Sequence, residues 1–322
     1  MPLPEQMTEE RKHTVVAFGE VLWDLLPDQS IIGGAPFNFT YRINSLGANG
    51  LMISRVGVDK LGQMTLQKIR DLGLSLDFIQ KDDTHPTGTV EIFFDNSMNP
   101  DFNIIKDVAY DFIELTNPSM ELCERASCIC FGTLAQRNEK SRDTLYQLLE
   151  AFNGSIRYYD INLRKGCYSA IILKNSLVRA DIVKLNDSEA LEINRMFEFK
   201  ASRLEDVGRA LIDKYDLQIC LITIGAKGVL VISRTGEIYY IPGYRITLAD
   251  PLGSGDAFSA GFLHAWLNHN SLYDACNLGN ILGAITATQR GATVPIQHET
   301  IDSFRRDDHV RNIDTSLEQY LN

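Results

Sequence analysis

No Gly-x-x-x-x-Gly-Lys-Ser/Thr run occurs in this chain, so the phosphate cradle of the P-loop enzymes is absent. No Gly-x-Gly-x-x-Gly follows a strand-like segment, which removes the phosphate turn of a dinucleotide fold. The six cysteines, Cys123, Cys128, Cys130, Cys167, Cys220 and Cys276, form no Cys-x-x-Cys pair. Cys128 and Cys130 flank Ile129, and Cys220 lies inside Ile219 to Ile224, as small buried strand residues do. That usage implies neither a disulfide framework nor a thiolate metal site, and it fits a reducing cytoplasm. The six histidines include no His-x-x-x-His pair, so a His-based metal centre or hydrolase triad has no support. No apolar run approaches the roughly 20 residues of a membrane span. Basic clusters are missing too. With 322 residues and a net charge of −11, the chain is a poor candidate for nucleic-acid binding. Met1 to His13 is polar and charged, unlike a secretory signal, and reads as a disordered lead-in to a domain spanning 14–322.

What is present is a globular composition, 44% apolar, in which short apolar runs alternate with helical spacing. Strands are expected at Val15 to Gly19, Leu51 to Val56, Cys128 to Phe131, Ile156 to Ile161, Ile182 to Leu185 and Ile219 to Ile224. Helices are expected at Pro36 to Leu46, Asp59 to Leu72, Glu139 to Phe152 and Leu204 to Tyr215. The alternation predicts an α/β fold with a mostly parallel central sheet covered by helices on both faces. Val229 to Ser233, Thr235-Gly236 and Glu237 to Ile241 read as a hairpin. Val21 to Ile32 and Gly88 to Ile105 read as strands with no helix between them. They are either a small β layer set apart or an antiparallel edge of the main sheet.

The most informative run is Asp250-Pro251-Leu252-Gly253-Ser254-Gly255-Asp256, which joins an extended segment, Tyr244 to Ala249, to the apolar run Ala257 to Leu267. Gly253 and Gly255 let the backbone turn tightly and approach a ligand. The turn opens a helix, whose free N–H groups make an anion site. Asp256 sits at the same spot. A bare anion site excludes a carboxylate, but a site that deprotonates a nucleophile attacking a phosphate needs one. The alternative is a plain capped helix start.

This Asp-x-x-Gly-x-Gly-Asp run resembles the second signature of the PfkB, or ribokinase-like, sugar kinases. Further matches follow in family order. They are Gly33-Gly34-Ala35-Pro36-Phe37-Asn38, Leu46-Gly47, Arg55-Val56-Gly57-Val58-Asp59-Lys60-Leu61-Gly62 and Asn186-Asp187-Ser188-Glu189, and the resemblance spans about Val15 to Thr293. Two positions depart from the pattern: Pro251 stands where Thr is usual, and Ser254 where Ala is usual. Pro251 lacks an N–H but precedes the turn, so Gly253, Ser254, Gly255 and Asp256 keep theirs as an anion hole.

The resemblance implies an ATP-dependent sugar kinase with a β-sheet lid, segments about 21–32 and 88–105, that also serves as a homodimer contact. It makes Asp256 the general base and assigns Asp24, Gly33, Gly34 and Asn38 to the sugar, with Glu20 in support. Arg164, in Asp160-Ile161-Asn162-Leu163-Arg164, would meet the transferred phosphate. Asn186, Thr223, Gly225, Gly228 and Asn280 fall to ATP. Glu189 would order Mg²⁺ through water, and Asp250 a monovalent cation such as K⁺. The opening Gly19-Glu20-Val21-Leu22-Trp23-Asp24-Leu25-Leu26-Pro27 most resembles fructokinases, with 2-keto-3-deoxygluconate kinase, ribokinase or a non-catalytic sugar binder as alternatives.

Overall fold

Alternation along each buried strand decides which way the core faces. In β1 (Thr14–Phe18), Val16 and Phe18 join one apolar cluster, while Val15 and Ala17 join another on the opposite face. The same split recurs in β8 (Cys128–Phe131), β9 (Ile156–Asp160), β10 (Ile182–Asn186) and β11 (Ile219–Thr223). A strand buried on both faces needs helices on both, and a period-two side-chain pattern fills two cores at once.

The computed structural model describes residues 12–26, 29–94, 100–306 and 309–321. Most of the expected lead-in, residues 1–11, lies outside the described residues. So do Pro27, Asp28 and residues 95–99 of the two expected lid segments.

The remaining strands are β2 (Leu22–Leu25), β3 (Ser30–Gly33), β4 (Asn49–Gly57), β5 (Ile79–Asp82), β6 (Gly88–Phe94), β7 (Pro100–Ile104), β12 (Gly228–Ser233), β13 (Ile238–Tyr244) and β14 (Arg311–Asn312). The large sheet runs β14-β13-β12-β11-β10-β9-β8-β1-β4-β5. From β11 to β5 every pairing is parallel, whereas β12, β13 and β14 add on antiparallel. The expected hairpin is thus the antiparallel pair β12–β13.

The two segments without helices form a separate four-stranded sheet, β3-β2-β6-β7, and not an edge of the main one. In it β2 and β6 are parallel, with β3 and β7 antiparallel on the outside. A third apolar cluster, including Val21, Trp23, Ile32, Phe37 and Met52, joins this sheet to the helices Ala35–Ser45 and Lys60–Asp71.

The Arg55-to-Gly62 motif fastens the corner through which the chain enters the small sheet. Asp59 accepts the Thr87 N–H at 2.7 Å, the Thr87 hydroxyl at 2.8 Å and the Gly62 N–H at 2.7 Å. Those bonds outweigh the cost of burial and hold its carboxyl below the usual range. Arg55 Nε pairs with buried Asp82 at 2.7 Å.

Candidate active site

The ends of parallel strands and the starts of helices converge at one rim of the large sheet. After β13 the chain is irregular until the helix Ser254–Leu267. Asp250 organises the approach: its Oδ1 accepts the Leu252 N–H at 3.0 Å and its Oδ2 the Gly291 N–H at 3.2 Å. Gly253 adopts φ 77°, and a Cβ there would lie 2.3 Å from the Ala292 Cβ, so only glycine fits. The two departures from the family pattern touch each other. Ser254 donates both its N–H, at 3.2 Å, and its hydroxyl, at 2.7 Å, to the Pro251 carbonyl. The Ser254 N–H is therefore committed within the turn, which corrects its expected place among the anion-hole donors. The N–H groups of Gly255 and Asp256, second and third in the helix, are the ones that no helix carbonyl reaches.

Asp256 lies 2.8 Å from Asn38, whose Nδ2 donates to its Oδ2. Loss of solvent and the nearby Asp160 charge push its carboxyl up to about 6, against the pull of Asn38, Lys184 and Arg164. Lys184 Nζ is held 3.1 Å from both oxygens of Asp160. Burial alone would lower the Lys184 ammonium, but Asp160, Glu189 and Asp256 more than offset it and raise it. Ser259, on the same helix as Asp256, donates to Asp160 at 3.0 Å. Lys184 and Ser259 carry no role in the sequence reading. The available signal was a lysine inside Ile182-Val183-Lys184-Leu185, a charge in an otherwise apolar strand.

At the other flank, Asp24 on β2 faces Gly33 on β3, where a Cβ would lie 3.2 Å from Asp24 Oδ2. Gly34 adopts φ 112° and packs on the Glu20 backbone, where a Cβ would come within 2.5 Å of the carbonyl oxygen. Asn38 is buried one turn into the next helix, and its Oδ1 has no hydrogen-bond partner among the described residues. Burial raises Asp24, and Arg164 opposes the shift. Glu20 is pushed up to about 7 by burial, with Asp256 adding to the rise and Arg164 opposing it. The charge of exposed Arg164 therefore acts on Glu20, Asp24 and Asp256 alike. Arg137 is locked away: its Nε and Nη2 bond the two oxygens of Asp111 at 2.7 and 2.8 Å, and Nη2 also bonds the Ile105 carbonyl.

The strand register carries the site onward. Asn186 ends β10 beside Thr223, which ends β11. Asn186 and Glu189 form a reciprocal cap at the helix Asp187–Met196, each side chain accepting the other's N–H at 2.8 Å. Glu189 Oε1 also accepts the Leu163 N–H at 2.7 Å, tying this cap to the Asp160–Arg164 loop. Gly225 lies open beyond β11, at φ 51° with nothing near where a Cβ would stand. Gly228 instead packs against the Ile241 and Gly243 backbones. Asn280 is buried and donates to the Ile241 carbonyl at 3.0 Å, fixing the helix Leu272–Ala287 to β13.

Among the described residues no group of three or more His, Cys, Asp or Glu side chains could hold a metal ion. No helix of the described residues is long and apolar enough to cross a membrane.

The description "pfkB family carbohydrate kinase" matches residues 14–299. The chain is 27% identical over 297 residues to a fructokinase of Escherichia coli, covering 86% of this chain and 94% of that one. An uncharacterised sugar kinase of Pyrococcus horikoshii, solved in complex with ATP, superposes with a TM-score of 0.73 at 26% identity, covering 87% of this chain and 94% of the other. Fructokinase from Vibrio cholerae has been solved with fructose, ADP and calcium ion, and as a double mutant with fructose, ADP and potassium ion. Both structures superpose with a TM-score of 0.76 at 23% identity, covering 91% of this chain and 98% of theirs.

Proposed function

This chain belongs to the pfkB family of carbohydrate kinases, and on that premise we propose that it transfers the γ-phosphoryl group of ATP to D-fructose, giving fructose 6-phosphate and ADP. The observation that carries the reading is Asp256 beside Asn38 at the start of a helix whose second and third N–H groups, Gly255 and Asp256, no helix carbonyl reaches. The sugar hydroxyl attacks the γ-phosphorus, the bond to the bridging oxygen of ADP breaks, and the hydroxyl proton passes to Asp256. The Gly255 and Asp256 N–H groups stabilise the charge of the moving phosphoryl group, with Arg164 at its open side. Mg²⁺ would neutralise the phosphates, and we read Glu189, with Asn186, as the residues that would orient its water.

The sugar end carries Glu20, Asp24 and Asp256, with Arg164 acting on all three, while Lys184 is held by Asp160 and Arg137 by Asp111. An excess of negative charge disfavours a sugar acid, so a neutral ketohexose fits better. Asn38 Oδ1, a buried acceptor without a donor, and Asp24 would fix sugar hydroxyls. Thr223, Gly225, Gly228 and Asn280 would line the nucleotide end. The small sheet is read as a lid over the sugar and as a contact between two copies of the chain. The exposed Arg164 favours 2-keto-3-deoxygluconate as the second reading.

A coupled ADP-release assay with fructose, ribose, 2-keto-3-deoxygluconate and a nucleoside tests this directly. Fructose is expected to show the highest kcat/KM. A higher value for 2-keto-3-deoxygluconate overturns the substrate and leaves the kinase. No ADP release with any of them overturns catalysis.

A further inference from the structure

Arg42 is 1% exposed, yet no carboxylate among the described residues pairs with it. Its Nη2 donates to the carbonyls of Ala292 and Val294, at 3.3 and 3.0 Å. Its Nε and Nη1 are buried without a hydrogen-bond partner, and its guanidinium stands 5.4 Å from the Tyr41 ring. A buried, unpaired charge is costly, and a methionine would fill similar volume without that cost. The charge therefore calls for a use.

The use lies in what Arg42 grips. Residues 291–294 form a strap against the phosphoryl-transfer turn. Gly291 N–H is held by Asp250, Ala292 abuts Gly253, and Ala292 and Val294 face Arg42. Both oxygens of Asp250 already accept backbone N–H groups. Two carbonyls of the adjoining strap already face a fixed cation. A guanidinium fixed on the strap already supplies positive charge there, and like-charge repulsion disfavours a second cation beside it.

We propose that Arg42 is a fixed internal cation, a positioning residue that holds the 291–294 strap and through it the Gly253 turn, and that this chain uses no monovalent metal ion at Asp250. Arg42 sits one turn beyond Asn38 on the same helix. One helix thus fixes both the partner of Asp256 and the strap behind the turn. The proposal rests on the kinase reading for its activity arm only.

The test replaces tetramethylammonium by K⁺ at constant ionic strength in the wild-type protein, reading turnover with MgATP and, separately, the thermal midpoint. Turnover is expected to stay within about twofold and the midpoint unmoved. Activation of about tenfold or more, or K⁺-specific thermal stabilisation, overturns the proposal. Arg42→Met should lower kcat about tenfold or more while KM for the sugar changes little and the thermal midpoint is retained, with Arg42→Lys intermediate. Wild-type turnover in Arg42→Met removes the positioning role. If the variants do not fold, the wild-type titration still decides. If no sugar is phosphorylated, the kinase reading fails, and the thermal arm still tests the cation.

Discussion

Asn38 and Asp256 are 218 residues apart in sequence and 2.8 Å apart in space. The amide donates to the carboxylate oxygen, and its own oxygen is buried with no hydrogen-bond partner among the described residues, so on the proposed reading one contact would orient the base and leave an acceptor for a hydroxyl.

Asp256→Asn keeps the shape but cannot take a proton. Turnover should fall by about 10² or more, while the affinities for sugar and ATP change little. The same variant should be the more stable protein. The carboxyl is raised from 3.8 to about 6 by burial, so between those values the folded chain holds a proton that the unfolded chain has released. Stability therefore declines as pH rises through that window, and near neutrality the ionised group costs about 3 kcal/mol. Wild-type turnover would remove Asp256 from the role, and an unchanged thermal midpoint at pH 7 would remove the stability cost.

The pH profile follows from the same group. The base form is lost as pH falls through about 6, so kcat/KM should drop on the acid side. Glu20, pushed up to about 7 by burial with Asp256 adding to the rise, is mostly protonated where Asp256 titrates. Glu20→Gln should therefore leave the acid limb near 6. A limb that moves to lower pH would show that Glu20 carries charge there.

In Gly255→Val, the added Cβ would lie 3.1 Å from Lys184 Nζ, in the approach to the turn. Turnover should suffer more than thermal stability. Normal turnover would show that the phosphate does not lie there.

Lys184→Met leaves Asp160 buried without its partner. A loss of about 3–5 kcal/mol in unfolding free energy is expected from stranding one member of a buried pair. Removing the ammonium also removes a charge that lowers Asp256, so the acid limb should rise. Denaturant unfolding and a pH–rate profile check both, and an unmoved limb would uncouple Lys184 from the base.

Sugar should slow amide exchange in β2, β3, β6 and β7 more than ATP does, if these strands are a lid. Equal protection by the two ligands would contradict that placement. Dilution should loosen the same strands together if they also join two copies of the chain.

The parallel sheet was legible because strands buried on both faces must be continuous apolar runs, as Cys128 to Phe131 and Ile219 to Ile224 are. The turn at Gly253 was legible because its residues are consecutive. The destination of the Ser254 N–H was not, since a pattern names donors without their acceptors. Arg137 shows the same limit. Nothing in the run around it shows that Asp111, 26 residues upstream, holds its Nε and Nη2.

By itself the sequence determined the α/β class and the order of the motifs, and it singled out Asp256 as the candidate base. These depend on local spacing and side-chain type. Only the tertiary structure decided that Lys184 pairs with Asp160, that Arg42 is buried against Ala292 and Val294, and that the small sheet stands apart from the large one. The partners of a buried charge come from whichever strands and helices pack beside it, and that neighbourhood is a property of the whole fold.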